Sequence, residues 1–196
     1  MNRRLILPLL AFLSGAVALA AAAFITFSPQ GATRGGGTAS VGGPFSLTSA
    51  QGATVTDAQL RGAPFLVFFG FTHCPEFCPT KLFEISETLR VAGPKGEKLR
   101  ALFISVDPQR DTPEVLKSYL GAFDPRIIGL TGDQAAIDGV VKAYRAYAKK
   151  VPLKDGDYTM DHSLLVYLMD KRGAFVGAFN SERPPAEAAR EWLKHL

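Results

Sequence analysis

Residues 65–71 form an unbroken apolar run, Phe-Leu-Val-Phe-Phe-Gly-Phe. A strand without alternating polar positions has both faces covered, as in a central strand of a sheet that carries helices on either side. Helix signals follow from about Glu76 to Arg90, and Ala101–Val106 has the pattern of a neighbouring strand. The run therefore predicts an α/β domain with a fully buried strand at the centre of its sheet.

Strand and helix signals continue to the end of the chain, and no internal repeat is present. The further predicted elements are a hairpin of Phe45–Ser49 and Thr54–Asp57, a helix capped by Thr112 with Pro113 at its first position and closed before Asp124, a strand Ile127–Leu130, a helix ending near Ala148, strands His162–Met169 and Ala174–Phe179, and a last helix started by Pro184 and Pro185. This order predicts a mixed sheet flanked by helices, for which a thioredoxin-like fold is the economical choice.

The net charge of +4 does not describe the folded part of the chain. Three of the 22 basic residues, Arg3, Arg4 and Arg34, precede the first acidic residue, Asp57, so residues 35–196 hold 19 bases against 18 acids. A nearly neutral domain lacks the electrostatic footprint of a nucleic-acid-binding protein. We therefore expect no nucleic acid among the partners.

The N-terminal segment predicts a membrane anchor. Leu5–Phe27 contains no charged residue, and as a helix it would be about 34 Å long, enough to cross a hydrocarbon core of about 30 Å. Arg3 and Arg4 ahead of it favour a cytoplasmic N-terminus and a domain on the outer face. A cleaved signal peptide is the alternative, because Ala18–Ala20 resembles a cleavage site, although the apolar part of such a peptide is usually about 7–15 residues. We expect a single-pass protein of a bacterial inner membrane with its C-terminal domain in the periplasm.

Residues 28–44 separate this anchor from the folded part. Their glycine-rich composition, with Gly35–Gly37 and Gly42–Pro44, cannot bury a core and predicts a flexible linker. The expected organisation is a transmembrane anchor at 1–27, a linker at 28–44 and a thioredoxin-like domain at 45–196.

The two cysteines of the chain lie where the apolar strand meets the following helix. Cys74 and Cys78 are four residues apart, so their sulfurs share one face if Cys78 lies in the first helical turn, close enough to bind one ion or to form a disulfide. The positive end of the helix dipole favours thiolates, which metal binding and thiol exchange both require. A stabilising disulfide is a third option, although so short a loop offers little entropy gain. Thioredoxin-type sites have two residues between their cysteines and this chain has three, which favours a metal.

Two thiolates make an incomplete metal site, and three histidines are available to complete it. His73 adjoins Cys74 and would point elsewhere, and His195 is expected to be solvated near the end of the chain. His162 is predicted to begin a strand beside the central one, where a lone histidine is more often structural than ligating. Two soft sulfurs and an imidazole suit copper, especially three-coordinate Cu(I), whereas Zn(II) usually takes a fourth ligand.

Three motifs give the chain a specific resemblance. They are Phe-Gly-Phe-Thr-His-Cys-Pro-Glu-Phe-Cys-Pro-Thr at 69–80, Ser-Val-Asp-Pro-Gln-Arg-Asp-Thr-Pro at 105–113, and Asp-His-Ser at 161–163. Together and in this order they resemble the Sco/SenC family of copper chaperones, over roughly residues 41–196 and including the anchor. Each motif alone would be only modestly specific.

The resemblance implies a site and a role. Copper, as Cu(I) or Cu(II), would be bound by Cys74, Cys78 and His162, and the protein would take part in assembling the CuA centre of cytochrome c oxidase. The implied partner is the CuA-bearing subunit of the oxidase. Another periplasmic copper chaperone or a thiol reductant is expected as a further partner.

Three carboxylates near these motifs are candidates for supporting roles. Asp107 and Asp111 follow the second strand at the edge of the sheet that carries the cysteines, where Asp111 is a candidate for a group behind the metal ligands or for partner docking. The local alternative is equally strong, because Asp and Thr residues before Pro113 cap a helix. Asp161 is a weaker candidate for orienting the imidazole of His162, since adjacent strand residues face opposite ways.

Two functions remain open from the sequence. In the first, the protein is not an enzyme but a metallochaperone that binds copper and passes it on by ligand exchange. In the second, it is a thiol–disulfide oxidoreductase in which Cys74 attacks a partner disulfide and Cys78 resolves it. The Sco/SenC resemblance is compatible with both. The cysteine spacing favours copper, as does Asp161-His162 at the place where thioredoxins carry a cis-proline.

Overall fold

The computed structural model describes residues 41–154 and 156–196. Strands are numbered β1–β9 and helices α1–α4 in chain order. The elements are β1 Ser46–Ser49, β2 Thr54–Thr56, β3 Phe65–Gly70, α1 Phe77–Ala92, β4 Arg100–Ser105, α2 Pro113–Leu120, β5 Ile127–Thr131, α3 Gln134–Ala143, β6 Ala148–Pro152, β7 Tyr158–His162, β8 Val166–Met169, β9 Phe175–Ala178 and α4 Pro185–Leu193, with short 3-10 helices at Asp57–Leu60 and Gly93–Gly96.

The predicted anchor at 1–27 lies outside the described residues, as does the predicted linker up to residue 40. Within 41–154 and 156–196, no helix combines the length and the apolar character that crossing a membrane requires.

The main sheet of the described chain has seven strands in the order β2-β1-β5-β4-β3-β8-β9. β3, β4 and β5 run parallel to one another at its centre, and β1 and β8 flank them in the antiparallel sense. Phe68 of β3 lies between Phe103 of β4 and Val166 of β8. This is the mixed sheet of a thioredoxin-like α/β fold, as the sequence predicts.

Side chains of β3 alternate between two cores. Leu66 and Phe68 belong to the core under α1, α2 and α4, where Trp192 is fully buried. Val67 and Phe69 belong to the core on the α3 side. Burial of each large apolar side chain contributes about 1.5–3 kcal/mol to folding. The uninterrupted apolar sequence of β3 thus reflects helices on both faces, and its carboxyl end is a fixed platform for the loop that follows.

The chain after α3 differs from the sequence prediction. The helix expected to end near Ala148 ends at Ala143, because Arg145 adopts a left-handed φ of 52° and turns the chain back. Residues 148–152 and 158–162 then form the β6–β7 hairpin, a two-stranded sheet apart from the main one. The sequence prediction missed this hairpin.

The single strand predicted from His162 to Met169 is also wrong. His162 ends β7, and the strand beside β3 begins only at Val166. The two strands are separated because Ser163 stays bound to the segment before β6: its N–H donates to the carbonyl of Tyr147 over 2.9 Å, and its hydroxyl accepts from the N–H of Tyr147 over 2.8 Å.

Candidate metal centre

Cys74 and Cys78 lie in the loop and helix that follow β3. The helix α1 begins at Phe77, so Cys78 is its second residue, as the four-residue spacing anticipates. Glu76 at the N-cap makes no side-chain capping bond. Instead, the backbone N–H of Cys78 donates to Sγ of Cys74 over 3.3 Å. The first turn of α1 thus points an N–H group at a sulfur, which is how helix N-termini hold anionic ligands.

His162 reaches the same place from the end of β7. Its Nε2 is 3.8 Å from Sγ of Cys78, and its Nδ1 is 3.0 Å from the carbonyl oxygen of Ser163. Because a carbonyl oxygen only accepts, this bond assigns the ring proton to Nδ1 and leaves the lone pair of Nε2 facing the sulfur. A histidine held in this way through its other nitrogen is oriented as a metal ligand.

Two aromatic rings enclose the imidazole. The ring of Phe71 meets it nearly at a right angle, at 85°, with centroids 5.6 Å apart, and the ring of Phe68 lies 6.4 Å away at 69°. Both phenylalanines are buried. The apolar run that predicts the central strand therefore also provides the wall against which His162 packs.

The three side chains form a compact group. One ligand atom from each of Cys74, Cys78 and His162 lies within 4.8 Å of the others, and the described residues contain no second such group. Both cysteines are free thiols, Cys78 fully buried and Cys74 half-buried. His162 is only 9% exposed, so solvent and partners reach the group mainly at Cys74.

Burial raises the pKa of the Cys78 thiol well above its ordinary value of 9.0. A backbone hydrogen bond from Phe71 opposes this effect, whereas the neighbouring Cys74 and Asp111 add to it. Without a metal the Cys78 sulfur keeps its proton near neutral pH, so a metal that binds there must displace that proton.

Gly70 makes room for the Cys78 sulfur at the end of β3. A Cβ on this residue would lie 2.9 Å from Sγ of Cys78 and 2.5 Å from Cε2 of Phe103. Any larger residue would push either the helix or the neighbouring strand away. This close approach explains a glycine within an otherwise bulky apolar strand.

Asp111 holds the loop that carries the cysteines. It is fully buried, and its carboxylate accepts hydrogen bonds from the N–H and the hydroxyl of Thr72, over 3.0 and 2.6 Å, and from the hydroxyl of Ser105 over 2.6 Å. Capping of α2 falls to Thr112, whose hydroxyl accepts from the N–H of Val115 over 3.4 Å. The hydrogen bonds of Asp111 therefore go to the cysteine loop and to β4, and the capping bond of α2 comes from Thr112.

Asp107 lies at the same edge of the sheet but faces the β6–β7 hairpin. It is 3% exposed, forms an ion pair with Arg110, and accepts a hydrogen bond of 2.9 Å from the hydroxyl of Tyr158. Asp107 therefore touches the hairpin that carries His162, whereas Asp111 touches the loop that carries the cysteines.

The other candidate residues lie outside the group. The side chain of Asp161 is exposed, and the carbonyl of Ser163 holds the imidazole of His162 in its place. His73 is exposed and lies beside Thr72. The expectation of a solvated His195 is wrong, because its ring is 25% exposed and lies 3.8 Å from Glu191.

A family model described as SCO1/SenC matches residues 33–196. The chain belongs to the SCO1/SenC family. The SenC protein of Rhodobacter capsulatus is 39% identical over 155 residues, covering 79% of this chain and 70% of the relative. The mitochondrial SCO1 homolog of Mus musculus is 40% identical over 159 residues, covering 80% of this chain and 56% of that protein. This SCO1/SenC chain spans about half the length of the first curated relatives that it matches.

A solved structure gives the fold of a nearer relative. Bradyrhizobium japonicum ScoI with copper bound is 58% identical to this SCO1/SenC protein, with a TM-score of 0.78, covering 80% of this chain and 99% of that one. The thioredoxin-like fold predicted from the sequence is confirmed for the described domain.

The donor set of this SCO1/SenC protein defines its chemistry. Two thiol sulfurs and one imidazole nitrogen are soft to intermediate ligands that suit a copper ion in three-coordinate geometry. A zinc site with the same residues would lack its usual fourth ligand. Two free thiols at a helix N-terminus are also the components of disulfide exchange.

Several residues near the site escaped the sequence prediction. Tyr119 of α2 has a buried hydroxyl without a hydrogen-bond partner among the described residues, and burial, then the charges of Cys78 and Cys74, raise its pKa. Tyr158 and Arg110 approach each other across 48 positions of sequence. The order of the predicted elements indicates which edge of the sheet holds the site. It contains no signal for these side-chain contacts.

Proposed function

We propose that this protein is a membrane-anchored copper chaperone that binds one copper ion, Cu(I) or Cu(II), through Cys74, Cys78 and His162. The observation that carries the proposal is the approach of two thiols and one imidazole nitrogen to within 4.8 Å of one another. Copper in the Bradyrhizobium japonicum relative supports the choice of metal. The cargo would be delivered to, or used to prepare, the CuA site of cytochrome c oxidase, as the Sco/SenC resemblance implies.

Unequal exposure of the three ligands favours transfer over permanent storage. Cys78 and His162 are buried, whereas Cys74 is half-buried. A thiolate or imidazole of the receiving subunit would approach the copper ion beside Cys74, and Cys74 would leave first. Three-coordinate copper has room for this additional ligand, so the ion never needs to be free in solution.

A second candidate function rests on the free state of both cysteines. The Cys74 thiolate would attack a disulfide of the partner, forming a mixed disulfide and releasing one partner thiol. Cys78 would then displace the second partner thiol, so that the partner is reduced by two electrons and Cys74–Cys78 becomes a disulfide. A thiol reductant would restore the pair, and the CuA-bearing subunit is the proposed disulfide substrate.

The proposed location is a bacterial inner membrane, with the domain in the periplasm and the oxidase subunit as partner. Another periplasmic copper chaperone is the proposed source of copper. Support comes from the uncharged segment Leu5–Phe27 behind Arg3 and Arg4. The test is fractionation of cells that express the full chain: recovery in membranes, with the domain open to protease from the periplasmic side, is expected. Recovery of the full-length chain in the soluble fraction would contradict the anchor.

Substitutions of individual ligands distinguish the two proposed functions. Copper-loaded wild-type protein should transfer its ion to a metal-free CuA-bearing subunit, and His162→Ala should lose this transfer while retaining thiol reductase activity, because it retains both cysteines. Cys74→Ser should lose both activities. Undiminished copper transfer by His162→Ala would overturn the chaperone proposal.

A further inference from the structure

The loop of residues 106–112, between β4 and α2, touches both halves of the candidate site. We propose that Arg110, acting with Asp107 and Tyr158, is a positioning residue that holds His162 at copper-binding distance from the cysteines. The proposal rests on the copper-binding function proposed above.

Tyr158, the first residue of β7, is held from several directions. The guanidinium carbon of Arg110 lies 3.7 Å from the centroid of its ring, and Nζ of Lys150 lies 3.5 Å from the same centroid. The Tyr158 hydroxyl donates to Asp107 over 2.9 Å, and its carbonyl accepts from Arg110 over 3.0 Å. Cation–π contacts contribute about 0.5–2 kcal/mol each, so the ring is fixed more firmly than an exposed tyrosine.

The Arg110–Asp107 ion pair is sheltered from solvent. The side chains of Arg110 and Asp107 are 17% and 4% exposed, and Arg110 also reaches the Asp157 carboxylate over 3.3 Å. Removal of one member of a sheltered pair leaves the other charge without compensation. Arg110 therefore holds the loop and the hairpin together. Its loss would leave the Asp107 carboxylate without a compensating charge.

Side-chain contacts place the hairpin: the Tyr158 contacts at one end of β7, and the packing of Ala148 and Met160 against the core on the α3 side. Among the described strands, β6 and β7 pair only with each other, so no backbone ladder joins them to the seven-stranded sheet. Tyr158 and His162 stand at opposite ends of β7 and, four residues apart, share a face of the strand. The distance between them is about 13 Å at the usual rise of a strand. A hairpin released at Tyr158 would pivot, and the imidazole would move.

The cysteine half of the site is tied to the same loop. Asp111 accepts two hydrogen bonds from Thr72, two residues before Cys74. Two adjacent residues of the loop therefore contact the two halves of the site. Asp111 contacts the loop that carries the cysteines, and Arg110 contacts the hairpin that carries His162. This arrangement sets the distance between the two halves of the copper site.

A double-mutant cycle tests the proposal on the full-length protein. Cu(I) affinity is measured anaerobically by competition with a chromophoric chelator for wild type, Arg110→Ala, His162→Ala and the double variant. Direct partners of metal ligands typically change affinity about 10–100-fold. Because Arg110 acts on His162 through Tyr158, we expect Arg110→Ala to weaken binding at the lower end of this range. In the His162→Ala background, Arg110→Ala should have less than about a twofold further effect, because it acts through His162.

Arg126→Ala is the matched control. Arg126, directly before β5, forms a comparably sheltered ion pair with Asp124: the pair is 2.6 Å long, and the two side chains are 21% and 13% exposed. Arg126 belongs neither to the hairpin nor to the loop of residues 106–112. It should leave Cu(I) affinity within about twofold of wild type. The nitrogen hyperfine coupling in the Cu(II) spectrum should be altered by Arg110→Ala and unchanged in Arg126→Ala. A general loss of stability would not produce this difference between the two variants. Tyr158→Leu retains the Arg110–Asp107 pair. If Arg110→Ala does not fold, Tyr158→Leu takes its place in the same measurements.

The outcomes separate the two proposals. An Arg110→Ala effect of equal size with and without His162, or no effect at all, would overturn the positioning role while leaving the copper chaperone intact. Failure of the wild-type protein to bind copper would overturn both.

Discussion

Nε2 of His162 lies 3.8 Å from Sγ of Cys78, although 84 residues separate them in sequence. The imidazole donates its Nδ1 proton to the carbonyl of Ser163, and the thiol lies fully buried at the start of α1. The protonated Cys78 thiol and the Nε2 lone pair thus form a hydrogen-bonded pair in an apolar setting. A cation that binds both atoms must take the place of the thiol proton.

Substitution of Gly70 by alanine should damage both the fold and the site. The added methyl group would meet Cys78 and Phe103 at distances shorter than van der Waals contact, and overpacking of this kind costs about 1–3 kcal/mol. Urea unfolding should show that loss, and Cu(I) affinity should fall as Cys78 is displaced.

Gly139→Ala is the control for this substitution, since a Cβ at Gly139 meets nothing within 4 Å. In the interior of α3 it should raise the free energy of unfolding by about 0.5–1 kcal/mol and leave copper binding unchanged. A Gly70→Ala protein as stable as wild type, with wild-type affinity, would refute the tight packing around Cys78.

Replacement of Asp111 by asparagine should loosen the loop that holds the cysteines. The amide keeps the shape but offers one acceptor oxygen in place of the two that Thr72 and Ser105 use. The expected loss is about 1–3 kcal/mol in the free energy of unfolding, together with weaker Cu(I) binding. Chemical denaturation and chelator competition measure the two effects. Asp138→Asn, at an exposed position of α3, should change neither, and an Asp111→Asn protein that also changed neither would contradict the role given to Asp111.

The raised pKa of Cys78 makes the metal-free protein sensitive to high pH. Burial raises this pKa in the folded state above its value of 9.0 in an ordinary setting. Stability from the buried neutral thiol is therefore complete below about pH 9 and is lost as pH rises, since the unfolded chain releases the proton first. Between pH 9 and 10.5, wild-type protein should lose more stability than Cys78→Ala, with a difference in slope that rises toward about 1.4 kcal/mol per pH unit, as measured by urea unfolding. Parallel pH profiles for the two proteins would contradict the burial argument.

The sequence predicts the centre of this fold better than its periphery. Phe65–Phe71 and the helix after it are placed within about two residues because burial on two faces leaves a continuous apolar pattern. The β6–β7 hairpin leaves none, since it pairs only with itself and exposes Lys149 and Lys150. Short polar strands of this kind resemble loops in sequence.

The residues of the candidate site also differ in how well the sequence predicts them. The pairing of Cys74 with Cys78 follows from helix geometry alone. The motif resemblance implies His162 as a ligand, and the sequence predicts it at the start of a strand, whereas it ends β7. Arg110 and Tyr158 meet through a contact between two polar segments, 48 positions apart, for which no periodic pattern exists.

Anaerobic titration of the reduced full-length protein with Cu(I), against a competing chelator, tests the central claim most directly. We predict one Cu(I) per chain, bound less tightly as pH falls because protons compete for the same sulfurs and nitrogen. Cys78→Ser and His162→Ala should each weaken binding by more than the roughly 10–100-fold typical of an outer partner, and His73→Ala, at the exposed neighbour of Cys74, should bind as wild type does. Wild-type affinity in Cys78→Ser and His162→Ala, or no Cu(I) bound by the wild-type chain, would contradict the account.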